Sequence, residues 1–154
     1  MIHTLLFFPM MCLVPDEGKT NSDAETLVKR GPWVVSSLEQ DGKAFSPPED
    51  WAHLLRQGDV VTFTKTGAQD NPLDVAVKRG KRTLSGWCTF PDNAGKPTGD
   101  MQLSLSSIPN AARAPILTGT HRIEADRVTL HFPAREFGAS GRISVVVILK
   151  RARS

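Results

Sequence analysis

Gly31-Pro32-Trp33-Val34-Val35-Ser36-Ser37-Leu38 is where a polar stretch of the chain gives way to its first sustained apolar run. A glycine lets the backbone turn tightly, and the large indole two residues later can plug one end of whatever the following strand builds. Several small antiparallel barrels begin in this way. The octapeptide therefore proposes a fold, and the rest of the chain has to supply the other strands.

Outward from Trp33 the pattern is period two, the repeat of a half-buried strand. Trp33, Val35 and Ser37 share one face; Val61 and Phe63 oppose Thr62 and Thr64. Leu73, Val75 and Val77 alternate with Asp74, Ala76 and Lys78, then Leu84, Gly86, Cys88 and Phe90 with Ser85, Trp87 and Thr89. Met101, Leu103 and Leu105 follow, then Leu117, Gly119, His121 and Ile123, then Val128, Leu130 and Phe132. The last run, Ile143 to Leu149, is apolar on both faces at its centre, so something should cover its outside.

About eight strands result, joined by short turns at Arg79-Gly80-Lys81, Asn93-Ala94-Gly95 and Ala125-Asp126. The fold class expected is all-β: an up-and-down antiparallel barrel with one short helix. The helix is expected where Ser46-Pro47-Pro48-Glu49 has capping-box spacing, with Trp51, Leu54 and Leu55 on one face and a stop at Gly58. It would lie across a barrel mouth or side.

The chain has 154 residues, 40% of them hydrophobic, enough for one domain to bury a sizeable core without a disulfide or metal. Two cysteines, Cys12 and Cys88, are too few for a disulfide scaffold. The formal charge of +3 favours anionic surroundings but falls short of a dedicated nucleic-acid binder. Leu5 to Val14 has the length of a signal-peptide core and is too short to span a bilayer. No lysine or arginine precedes it, Pro9 interrupts it, and Val14-Pro15-Asp16 is unlike a cleavage site. The compartment thus stays open between the cytoplasm and export to the periplasm or cell envelope. Residues 1–26 read as an apolar leader plus a flexible linker, and 27–154 as the barrel domain.

Gly31-Pro32-Trp33-Val34-Val35, Asp41-Gly42-Lys43, Gly86 with Phe90-Pro91-Asp92 and Lys96-Pro97, Gly119-Thr120-His121-Arg122-Ile123, Asp126-Arg127-Val128-Thr129-Leu130 and Leu149-Lys150-Arg151 occur in that order. In order and spacing they resemble the uncharacterised Planctomycetes-type domain family, whose members look lipocalin-like, over roughly Leu27 to Arg151. The chain departs from the family pattern at His121, where an aromatic is usual, at His131, often a cysteine, and in the longer segment at Pro47 to Gln57. What the resemblance implies is a structural closure in which Gly31 and Trp33 meet Arg151, or else Lys150, near the end of the last strand.

Function is less legible than fold. An eight-stranded barrel is just wide enough to be filled by side chains or to hold one small ligand. Ser37, Cys88 and His121 are the chemically distinctive residues of the expected inner face, so they are the candidate lining of a pocket for a small apolar ligand; a packed core is the alternative. Lys78, Arg79, Lys81 and Arg82 concentrate charge at a hairpin and form a second candidate, a surface for an anionic partner, against the alternative of a solvated turn. No tyrosine accompanies them, so specific nucleic-acid binding is not expected. His53, His121 and His131 lack metal-ligand spacing, and no cofactor is implied. A Cys88–His121 nucleophile and base would need an orienting acid that the inner face does not offer, so the chain reads as non-catalytic.

Overall fold

The structure is a computed structural model and describes residues 23–67, 69–90, 98–108, 114–136 and 142–153. Helix α1 (Asp23–Arg30) precedes β1 (Trp33–Gln40), β2 (Lys43–Ala44), β3 (Val60–Thr66), β4 (Gln69–Arg79), β5 (Arg82–Thr89), β6 (Thr98–Ser106), β7 (Ile116–Ile123), β8 (Arg127–Glu136) and β9 (Arg142–Arg151). Each strand from β3 to β8 pairs antiparallel with the next, and β3 and β9 both pair with β1. That closes an eight-stranded antiparallel barrel, with the two-residue β2 as an extra strand against the end of β1.

Burial follows the sequence alternation. Val61, Phe63, Leu73, Val75, Val77, Leu84, Cys88, Met101, Leu103, Leu105, Leu117, Val128, Leu130, Phe132, Val145, Val147 and Leu149 are all buried inside. Two glycines mark where neighbouring backbones come too close for any side chain. A Cβ on Gly86 would lie 1.7 Å from the Ser104 carbonyl oxygen, and one on Gly119 would lie 2.2 Å from that of His131.

β1 departs from the alternation. Its register with β9 shifts between Val35 and Ser37, so Val35 faces Leu149, Ser37 faces Ile148 and Leu38 faces Val147. An extra residue at a bulge moves everything after it to the other face. Leu38, and not Ser37, is the next inner residue, and Ser37 lies outside with Ile148. The outer residues Val146 and Ile148 are only half-buried, flanked in the ladders by Glu39 and His131 and by Ser37 and Thr129.

The helix lies elsewhere than expected. Residues 48–59 form successive four-residue turns, with Trp51 N–H donating to Pro48 O, Leu54 N–H to Trp51 O and Asp59 N–H to Arg56 O, all at 3.1 Å. Pro48 disfavours the α region for Pro47, the residue before it, and the Asp59 carboxylate takes the Arg56 N–H at 2.8 Å, tying the segment into a turn instead. Trp51, Leu54 and Leu55 are nevertheless buried, so the apolar face was legible although the element type was not. The helix that does form, α1, starts ahead of the boundary expected at Leu27. Asp23 and Glu25 occupy its first turn and Lys29 and Arg30 its last, complementing the helix dipole, and Ala24 and Leu27 form its buried face.

Candidate functional site

In an up-and-down barrel successive turns alternate between the two ends. The start of β1, the β7–β8 turn and the end of β9 therefore lie at one end, and the β4–β5 turn, the β2–β3 connection and the last residues of β6 at the other. α1 closes the first end. The Trp33 indole is fully buried and its Nε1–H donates to Leu27 O at 2.9 Å. Arg30 Nη1 donates to Ala125 O at 3.0 Å. Gly31 lies under the ring: a Cβ there would sit 3.3 Å from Trp33 Cδ1. Arg151 is opposite Trp33 in the ladder but exposed, so the indole's polar group is satisfied by the helix.

Beneath α1 lies the most distinctive polar contact of the interior. His121, 2% exposed, places Nε2 2.6 Å from Asp23 Oδ2, and its Nδ1 is buried with no hydrogen-bond partner. The Phe90 ring meets the imidazole edge-on at a centroid distance of 4.7 Å. Cys88, His121, Phe90, Met101, Leu27 and Leu55 border one interior space of about 10 Å³, on the scale of a single water. The structure thus brings Cys88 and His121 to one space and leaves Ser37 out of it.

Asp23 supplies the carboxylate that the sequence pattern of the strands did not reveal, because it comes from a helix 98 residues away. Even so, nucleophile and base are not joined, since Nδ1 has no partner. Burial also pushes the Cys88 thiol far up, so the reactive thiolate is suppressed.

At the second end the hairpin turns at Gly80, whose φ of 58° suits glycine. Its basic residues divide into two kinds. Lys78, Lys81 and Arg82 are exposed, whereas Arg79 folds back onto Asp59, itself 2% exposed. Arg79 Nε donates to Asp59 Oδ1 at 2.9 Å, and Nη2 donates to Asp59 Oδ2 at 2.7 Å and to Leu54 O at 2.8 Å. Arg79 is therefore a brace that pins the 46–59 segment over the barrel. Asp59 escaped the sequence reading because it stands 20 residues from Arg79.

Arg56, Arg79 and Arg82 border a cleft of about 360 Å³ with Glu49 and Ser107 on its rim. Arg56 Nη2 donates to Pro48 O, while its Nε is buried with no partner. Arg79 and Arg82 are direct cross-strand partners, an arrangement that is unfavourable for like charges until something neutralises them. Asp59 neutralises the first. Lys150, Arg151 and Arg153 belong to the opposite end and do not extend this cleft. Among the described residues no group of three or more His, Cys, Asp or Glu side chains could hold a metal ion, and no helix is long and apolar enough to cross a membrane.

In comparisons with known proteins, no family model, no curated protein and no solved structure matches the chain.

Proposed function

We propose that the chain is a non-catalytic recognition module of lipocalin-like architecture whose arginine-lined end takes an anionic group. The observation that carries this reading is the cleft of Arg56, Arg79 and Arg82, in which one guanidinium is fixed by Asp59 and the one opposite it is left exposed. A carboxylate or phosphate seated there neutralises the exposed Arg82 and accepts charge-assisted hydrogen bonds from Arg56 and Arg82. The exposed Lys78 and Lys81 widen the positive field around the cleft. The chemistry around Cys88 supports a non-catalytic role.

The test is a titration of the full chain with inorganic phosphate and with citrate, followed by amide chemical shifts. Changes should centre on Arg56, Arg79 to Arg82 and Ser107, weaken with added salt, and vanish in an Arg56→Gln, Arg82→Gln double variant that keeps Arg79 and the fold. No shift at millimolar anion, or an unaltered response in the double variant, refutes the reading.

The unpartnered His121 Nδ1 favours a second reading, a small apolar ligand with one hydrogen-bond donor inside the barrel. A space of about 10 Å³ does not admit such a molecule, so this reading requires α1 to move away. Native mass spectrometry of protein purified from its host decides it: no co-purifying small molecule, with helix α1 equally protected from hydrogen exchange in all preparations, removes it.

A further inference from the structure

We infer that the outer face of β3 to β6 carries a saccharide-binding trough built on Trp87. Trp87 is the one partly exposed tryptophan, since Trp33 and Trp51 are buried in the core. Direct cross-strand pairing places Thr64, Asp74, Trp87 and Ser104 in one row over four strands. The adjacent row is Ala76, Ser85 and Ser106, all small. A large ring beside a row of small side chains leaves a hollow, and the hollow measures about 460 Å³. Its floor is close to the backbone, because Gly86 allows β5 to approach the Ser104 carbonyl more nearly than any side chain would permit.

The chemistry of the lining selects the occupant. Among the described residues the hollow is bordered by an indole, hydroxyls, small and apolar side chains and a single carboxylate, with no lysine or arginine. Asp74 is exposed and makes no ion pair or hydrogen bond with any described residue, and the Trp87 Nε1–H likewise has no described acceptor. An anion is disfavoured beside a carboxylate that no described residue neutralises, so this site is distinct from the arginine cleft. A neutral sugar matches the set: its apolar C–H face stacks on the indole while its hydroxyls donate to Asp74 and exchange hydrogen bonds with the serines and threonines. The volume falls in the range of small-molecule sites, about 300 to 1,000 Å³. Ile108, 67% exposed, borders the trough and adds apolar surface for a second sugar ring.

Full-length protein should be titrated with cellohexaose, maltohexaose, chitohexaose and xylohexaose to millimolar concentration, with tryptophan emission and acrylamide quenching as readouts. Acrylamide quenching reports on Trp87, because the other two indoles are buried, and an emission change that accompanies altered quenching is assigned to the same residue. At least one oligosaccharide is expected to shift the emission and shield the indole. Measured by isothermal titration calorimetry, which needs no indole, Trp87→Ala and Asp74→Asn should each weaken that binding by about tenfold or more, equivalent to about 1.4 kcal/mol, while Arg82→Gln leaves it unchanged. Both sites are on the surface, so circular dichroism and melting of the variants should match the parent. The inference is overturned if none of the four sugars changes either signal, if binding persists in Trp87→Ala, or if only a lysine-rich peptide binds the trough through Asp74.

Discussion

Cys88 shows how position overrides residue type. A thiol in solution ionises near 9.0, but burial pushes this one far above that value. The unfolded chain therefore releases the proton first, so the folded state holds more protons than the unfolded state above about pH 9. The contribution is fully present below that pH and is lost as pH rises, at up to about 1.4 kcal/mol per pH unit. Denaturant unfolding at about pH 8 and about pH 10 should thus show a steeper fall in stability for the parent than for Cys88→Ala. Thiol reagents at neutral pH should label Cys88 only as fast as the barrel opens. Gly86 is constrained by space: in Gly86→Ala the new methyl meets backbone, which cannot rotate aside as a side chain would. The loss should exceed the ordinary overpacking cost of about 1 to 3 kcal/mol, read from the shift in the urea midpoint.

At the scale of elements, two short segments close the barrel ends, and each is held by a polar latch together with apolar burial. Over the second end the latch is Arg79 with Asp59, a pair whose side chains are 21% and 2% exposed. Arg79→Ala strands the buried carboxylate, so it should cost about 3 to 5 kcal/mol, whereas Lys81→Ala beside it should be nearly neutral; thermal melts of the two variants separate the roles. Over the first end, α1 rests on Leu27, the Asp23–His121 contact and the Trp33 indole. Leu27→Ala should cost about 2 to 5 kcal/mol and raise hydrogen exchange in α1 before it affects β8 and β9. Neither latch was legible in the chain. Strand faces repeat every second residue and can be read locally, but Asp23 with His121 and Asp59 with Arg79 join residues 98 and 20 apart that share no pattern. The 46–57 segment misled for the opposite reason: its capping-box spacing is a local signal, and Pro47, Pro48 and the Asp59 side chain outweighed it.

For the molecule as a whole, one ladder decides whether the sheet is a barrel. β9 pairs with β8, its neighbour in sequence, and also with β1 more than a hundred residues earlier, from Trp33↔Arg151 to Gln40↔Val145. About eight alternating strands joined by short turns made a barrel readable, but nothing local in Ile143 to Leu149 named β1 as the strand that closes it. The Ser36–Ser37 bulge was not readable, since a period-two run looks the same until the register with β9 is known. Interior volume was equally hidden, because it depends on how Leu27 and Leu55 enter from outside the strands. Closure also concentrates stability at the chain ends. A chain stopped after residue 141 loses β9, leaving β1 and β8 with unpaired edges and uncovering the inner residues that faced Val145, Val147 and Leu149. It should melt without a cooperative transition, bind a hydrophobic dye and aggregate. A chain that begins at Gly31 lacks α1 but retains every barrel ladder, so it should melt cooperatively at a lower temperature than the full chain. Differential scanning calorimetry of both truncations tests the ranking. A cooperative transition in the chain lacking β9 would mean that the sheet holds together open, and that the β1–β9 ladder is not what makes the fold.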